Sequence, residues 1–139
     1  MEEKYNEATE QRPEGDRQVD AALVTIDLPA FMTQIRNESP WKSGKRNAIT
    51  VFKTNGLRIV LIGLHKGTEM ARHTADGIIS VQVLEGKMQF NTDAKSVELT
   101  QGQLLALHER IPHSILAVEE TIFLLTLTTT LEVEKHEPS

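Results

Sequence analysis

The sequence predicts an all-β domain with one short helix near its N-terminus. From residue 47 onward, short apolar runs follow one another at regular spacing, and turn residues separate them. No helical periodicity lies between these runs, which favours a closed barrel or a two-sheet sandwich. A single amphipathic stretch upstream predicts the helix. The 139 residues suffice for one domain with its own core.

The helix is predicted within residues 27–39, where one apolar stripe has the spacing i, i+3, i+4 and i+7: Leu28, Phe31, Met32 and Ile35. Asp27 is a suitable N-cap, and Ser39 before Pro40 ends the helix. Upstream, residues 21–26 (AALVTI) form an isolated apolar run. We expect this run to be a strand that adds to a sheet edge, either of its own subunit or of a second subunit, and that makes a symmetric homodimer.

Turn residues set the limits of the other strands. Asn55-Gly56 is a strong hairpin signal because both residues tolerate positive φ, and Gly86 and Gly102 mark two further turns. The predicted strands are residues 49–53, 57–64, 78–84, 87–91, 96–99, 104–107, 114–118 and 121–130.

Charge divides the chain into a body and two tails. Residues 1–20 hold seven acids and three bases, which gives −4 of the net charge of −5. So polar a segment buries too little surface to offset the entropy of ordering. We therefore expect a disordered acidic tail at 1–20, a single barrel domain at 21–131 and a flexible tail at 132–139.

Composition excludes several classes of function. The chain has no cysteine, so disulfides, thiolate zinc sites and a cysteine nucleophile are excluded. A net charge of −5 argues against a nucleic-acid or anionic-membrane partner. No apolar run approaches the length of a membrane span, and the acidic N-terminus does not resemble a signal peptide. We expect a cytoplasmic protein.

Four histidines lie in the strand-rich body: His65, His73, His108 and His113. Imidazole is the commonest metal ligand in proteins. A lone histidine in a β domain is more often held by a structural hydrogen bond, which remains the alternative for His65 and His108. Four histidines between residues 65 and 113 nevertheless favour a functional site.

Two motifs contain His73 and His113. The first runs from Gly67 through TEMAR to His73 and ends, after DGI, Ile79 and SVQVLE, at Gly86. The second begins at Gly102 and continues through QLLAL, HER and Ile-Pro to His113, followed by SILA.

The two motifs resemble the paired signatures of the cupin family, the RmlC-like jelly-roll barrels (double-stranded β-helices) that often hold a metal on histidines. The resemblance covers roughly residues 47–130. The glycines, His73 and His113 match the signatures. At other signature positions this chain has different residues: Ala75 for histidine, Ile79 for glutamate, His108 for proline, Arg110 for glycine and Ala117 for asparagine.

The resemblance implies a site of three histidines and one glutamate, of which this chain retains His73 and His113. Two imidazoles alone bind most divalent metals weakly, and isoleucine at position 79 removes the anion that offsets the charge of the metal. We expect that metal is absent or weakly bound, with no certain cofactor. If one divalent metal (Fe, Mn, Ni or Zn) binds, His65 or His108 is the tentative third ligand.

Strand alternation also predicts a pocket. If residues 73–83 are extended, His73, Ala75, Ile79, Val81 and Val83 share one face, turned into the barrel. The predicted pocket residues are Ile79, Val81, Met70, Met88 and Phe90.

Three functions remain open. The first is a cupin of undefined role that binds a small molecule around His73 and His113. The second is a metal-dependent enzyme that resembles cupin dioxygenases, isomerases or epimerases and uses both histidines with a third. The third is a sensory module that acts through a protein partner, because the sequence contains no helix-turn-helix segment. No catalytic residue is assigned.

Overall fold

The computed structural model describes residues 4–6 and 17–129. In this part of the chain the helices are α1 (Leu28–Asn37) and α2 (Ser39–Ser43). The strands are β1 (Lys4–Asn6), β2 (Arg17–Asp20), β3 (Arg46–Lys53), β4 (Leu57–Leu64), β5 (Glu69–His73), β6 (Ile79–Glu85), β7 (Lys87–Thr92), β8 (Ser96–Thr100), β9 (Leu104–Leu107), β10 (His113–Ala117) and β11 (Thr121–Thr128). Neither described helix is long and apolar enough to cross a membrane.

Strands β3 to β11 form two antiparallel sheets. One has the order β3-β4-β11-β6-β9, and the other has the order β5-β10-β7-β8. No strand pairing joins the two sheets among residues 17–129, so the closed-barrel expectation is wrong and the two-sheet alternative is observed. The chain crosses between the sheets at Gly102, whose φ of 90° suits glycine. Hydrogen bonds from this turn to Val83 attach β9 to β6 instead of to β8.

The two sheets enclose the main hydrophobic core. Along β6, burial alternates, so that Ile79, Val81 and Val83 are all buried. They face residues of the opposite sheet, including Met88 and Phe90. Each such side chain stabilises the fold by roughly 1.5–3 kcal/mol through removal of apolar surface from water.

A second core lies on the other face of the five-stranded sheet. Ile35 of α1 is fully buried there with Ile49 and Ile122. All four residues of the predicted helical stripe belong to this cluster, and the Asp27 carboxylate accepts a hydrogen bond from the Ala30 N–H at 3.1 Å, as expected of an N-cap. Because β11 lies between the two cores, its sequence is an almost continuous apolar run.

The structure contains a second helix that the sequence did not reveal. Glu38 is extended and ends α1, but α2 begins directly after it with Pro40 in its first turn. Proline lacks a backbone N–H and is tolerated there, so the Ser39-Pro40 pair separates two helices. One turn of helix is too short to produce a periodic signal. The buried Trp41 lies in this turn.

The N-terminal predictions need correction. Residues 21–26 are not a strand: Leu23 is 80% exposed, and Ile26 packs against the core beneath α1. The chain pairs earlier, where β2 lies antiparallel to β1, and Val19 and Asp20 are buried. The burial of these two residues differs from the expectation that all of residues 1–20 form a disordered tail. Most of 1–20 and all of 132–139 lie outside the described residues, and the homodimer stays a prediction.

Between β5 and β6 the chain is also less extended than expected. Strand β5 ends at His73, and residues 74–78 form an irregular connection before β6 begins at Ile79. His73 therefore does not share a continuous strand with Val81 and Val83.

Candidate functional site

His73 and His113 lie next to each other at the paired ends of two strands. Strand β10 runs antiparallel to β5, and the register places His113 opposite His73. The ring centroids are 4.4 Å apart with an interplanar angle of 61°. The two imidazoles that the resemblance assigns to one site are thus adjacent, but they do not both lie in the interior. His113 is only 4% exposed, whereas His73 is exposed, so one ring lies inside and the other at the rim.

The same local hydrogen bond orients both rings. Nδ1 of His73 lies 2.7 Å from the carbonyl oxygen of Ala71, and Nδ1 of His113 lies 2.9 Å from that of Ile111. A carbonyl oxygen only accepts, so in each neutral ring Nδ1 carries the proton and Nε2 keeps its lone pair. Each histidine thus offers one Nε2 atom as a hydrogen-bond acceptor or metal ligand.

The environment of His113 favours its neutral form. Burial lowers the pKa of His113 below its ordinary value of 6.5, although the Ile111 carbonyl opposes this shift. The neighbouring His73 lowers the pKa further. The ring of Phe90 stacks on His113 with centroids 5.3 Å apart and an interplanar angle of 11°.

A cavity of about 290 Å³ lies beside this pair. Its lining comes from β7, β8, β9 and the β7–β8 turn: Phe90, Thr92, Lys95, Val97, Leu105, Ala106 and Leu107. Strands β8 and β9 are edges of different sheets, so the cavity lies where the two sheets fail to join. Phe90 contacts His113 and also lines the cavity, and Thr92 is the register partner of His113. The cavity and His113 therefore share Phe90 and Thr92 as neighbours, although neither imidazole is among the lining residues.

The predicted pocket residues separate into three groups. Phe90 lines the cavity. Ile79, Val81 and Met88 are buried within the main core, and Met70 lines a different cavity of about 330 Å³. The sequence did not single out Val97, Leu105, Leu107, Thr92 or Lys95 as pocket residues. For Val97, Leu105 and Leu107 a signal was available, because side chains alternate between the two faces of the short predicted strands 96–99 and 104–107.

His65 has a structural environment away from the pair. Its ring stacks on Trp41 with centroids 3.6 Å apart, and its Nε2 lies 2.8 Å from the Trp41 carbonyl oxygen, to which it donates. Nδ1 lies 3.7 Å from the Glu120 carboxylate. The Trp41 indole lies over Gly63. A Cβ atom added at Gly63 would lie 3.0 Å from the indole ring, so a larger residue there would crowd Trp41.

His108 is also separate from the imidazole pair. Its side chain is 85% exposed, and its Nδ1 lies 3.6 Å from the carboxylate of its neighbour Glu109. The structure thus brings together two of the four candidate histidines, His73 and His113, and holds His65 and His108 elsewhere.

Comparisons with known proteins identify the fold. Neither a protein-family model nor a curated protein matches the sequence. A solved cupin-2 domain containing protein from Shewanella frigidimarina superposes with a TM-score of 0.61 at 16% identity, covering 76% of this chain and 95% of that one. This chain has the cupin fold.

Two other solved structures resemble this chain. A conserved protein of unknown function from Streptococcus pyogenes has a TM-score of 0.60 and 23% identity, with 81% of this chain and 91% of that one covered. A salicylate 1,2-dioxygenase variant from Pseudoaminobacter salicylatoxidans, solved with gentisate, has a TM-score of 0.55 and 22% identity. That match covers 60% of this chain and 25% of the dioxygenase. These likenesses support the fold and leave the activity open.

The donor set of this chain does not fit the four-ligand metal site that the resemblance implies. Across the described ranges, no group of three His, Cys, Asp or Glu side chains is placed to hold a metal ion. Ile79, at the glutamate position, is 3% exposed in the main core, and Ala75, at the second histidine position, packs against the same core. Apolar atoms occupy the places where two of the ligands would be needed.

Proposed function

We propose that this cupin binds a small molecule in the cavity between β8 and β9, beside His113, and that tightly bound metal is not required. The observation that carries this proposal is a mostly apolar cavity of about 290 Å³ that shares Phe90 and Thr92 with the buried imidazole of His113, whose pKa is lowered by burial. Ligand sites are commonly concave and apolar, with a few polar groups that fix orientation.

The lining suggests how such a molecule is held. An apolar body packs against Phe90, Val97 and Leu105, and a part that extends past Phe90 meets His113. The neutral His113 Nε2 then accepts a hydrogen bond from the ligand. The volume is at the lower end of the range for ligand pockets, so we expect a compact ligand.

The second candidate function is a metal-dependent cupin enzyme of the dioxygenase, isomerase or epimerase type. One observation favours it: Nδ1 of both His73 and His113 bonds to a backbone carbonyl, which leaves both Nε2 atoms to bind a metal. Fe, Mn, Ni and Zn all accept imidazole ligands. In this candidate function, the remaining ligands would come from solvent or substrate.

Metal analysis of the purified protein distinguishes the two candidates. We expect a metal content well below one ion per chain that is unchanged in His73→Ala and His113→Ala. The matched control is His108→Ala, which removes an exposed imidazole away from the pair. One ion per chain in the wild type and in His108→Ala, lost in both other variants, would overturn the metal-free proposal and support the enzyme.

Cavity binding is tested by a small-molecule screen read through backbone amide NMR shifts. Ligands should shift the amides of Val97, Leu105 and Leu107. Val97→Phe, which fills the cavity, should abolish these shifts, whereas Leu23→Phe adds its ring at an exposed position and should retain them. Hits that shift only other regions, or that bind Val97→Phe unchanged, would contradict the proposal.

A further inference from the structure

The charge in the cavity lining is positive, with no negative side chain to balance it. Of its seven residues, Lys95 is the only one that carries a formal charge, and no carboxylate side chain is among them. The other side chains are apolar except for Thr92. A cationic ligand would therefore meet repulsion from Lys95 without a compensating acid, whereas an anionic ligand would meet attraction.

The hydrogen bonds that the structure gives Lys95 all use its backbone atoms. The N–H of Thr92 donates to the Lys95 carbonyl at 2.8 Å, and the Thr92 hydroxyl also donates to it at 3.0 Å. The Lys95 N–H in turn donates to the Thr92 hydroxyl oxygen at 3.2 Å. These bonds hold the turn at the cavity, while the flexible stem of the exposed lysine can bring its ammonium over the opening.

The nearby acid is already paired. Asp93, two residues before Lys95, forms an ion pair with Arg72 at 2.8 Å. Among the described residues no carboxylate pairs with the Lys95 ammonium. The positive charge at the cavity is thus available to a ligand.

We infer that the ligand is a compact apolar molecule with a single carboxylate group, bound with the carboxylate at Lys95 and the apolar body in the cavity. This inference rests on the proposed function and specifies its ligand class. A carboxylate is preferred over a phosphate because a phosphate dianion needs several donors or cations. The cavity offers one cation, and the Thr92 hydroxyl already donates to a backbone carbonyl.

Three probes of nearly equal shape separate charge from shape: 3-phenylpropionate, 3-phenylpropionamide and 3-phenylpropylamine. Their dissociation constants are measured with the whole chain by amide NMR shifts at Val97, Leu105 and Leu107. We expect the carboxylate to bind about tenfold more tightly than the amide, and the ammonium to bind most weakly. The preference for the carboxylate should shrink as salt concentration rises.

Variants of Lys95 test the assignment of the charge. Lys95→Ala should remove the preference for the carboxylate, and Lys95→Arg should keep most of it. Alanine retains the three turn hydrogen bonds because Lys95 contributes only backbone atoms to them. The matched control is Lys53→Ala, which removes an exposed lysine outside the cavity lining.

The outcomes separate this inference from the proposed function. Equal affinities for the three probes, with shifts at the cavity amides, would overturn the carboxylate class and support cavity binding. A carboxylate preference that survives in Lys95→Ala would overturn the role of Lys95. Absence of cavity shifts with every probe would overturn both the ligand class and the cavity.

Discussion

Two histidine environments in this chain contrast sharply. His65 is held on both sides: Trp41 stacks on its ring, its Nε2 donates to the Trp41 carbonyl, and its Nδ1 lies near Glu120. In the pair of His73 and His113, only Nδ1 of each ring has such a backbone partner. A histidine whose ring is stacked and whose Nε2 is hydrogen-bonded to the backbone contributes to the fold, whereas one with Nε2 available can bind a ligand.

The contrast extends to the surroundings. His65 lies beside α2, next to the five-stranded sheet, whose outer face is covered by α1. His113 lies in the four-stranded sheet beside the cavity where the sheets do not join. We therefore expect substitutions around His65 to change stability and substitutions around His113 to change binding.

The largest expected effect comes from Trp41→Ala. Trp41 is 7% exposed, stacks on His65 and covers Gly63, so alanine leaves a cavity and removes the stacking partner. We expect a loss of about 3–5 kcal/mol in the free energy of unfolding, measured by urea denaturation. Leu23→Ala, at a residue 80% exposed, should change stability little. A loss below about 1 kcal/mol in Trp41→Ala would show that this region does not support the fold.

The next comparison is His65→Ala against His73→Ala. Loss of the His65 hydrogen bond and ring stacking should cost about 1–2 kcal/mol of unfolding free energy. His73 is exposed, so its replacement should cost less than about 0.5 kcal/mol. Denaturant titrations of both variants under identical conditions provide the measurement. Equal costs would remove the distinction between a structural and a binding histidine.

The smallest expected effect is a pH dependence that originates at His113. The pKa of His113 in the folded state lies below its ordinary value of 6.5, so below pH 6.5 the unfolded chain binds more protons than the folded chain. Stability should therefore fall as pH falls through this range. His113→Gln should flatten this dependence, by at most about 1.4 kcal/mol per pH unit for one proton.

Denaturant titrations from about pH 7.5 to about pH 5 provide the test. The neighbouring Ser114→Ala serves as a control that leaves the imidazole in place, and its pH slope should match that of the wild type. If His113→Gln also follows the wild-type slope, burial of His113 has no measurable effect on its protonation.

Most strands could be predicted because their signals are local. Asn55-Gly56 marks the β3–β4 hairpin, and Gly86 marks the turn by which the chain passes from β6 in one sheet to β7 in the other. Predicted residues 104–107 match β9 at both ends. The helical stripe was equally readable because α1 covers three turns. The adjacency of His73 and His113 followed from the motif resemblance and was confirmed by the register of β5 and β10.

Other features depend on contacts that no local pattern encodes. The role of His65 depends on Trp41, which is 24 residues away along the chain and lies in a helix too short to predict. Strand β5 was missed because its side chains are mostly exposed and show no alternation of apolar residues. The cavity arises from the failure of β8 and β9 to pair, which is a property of the assembled sheets.

The position of β11 has a consequence for biosynthesis. This strand pairs with β4 on one side and β6 on the other, yet it follows both of them in the chain. Until the ribosome has released Thr121–Thr128, β4 and β6 lack the strand that pairs with both of them in the folded sheet. The five-stranded sheet is thus completed by insertion of its last-made strand into the centre, so its folding must wait for translation to pass this segment.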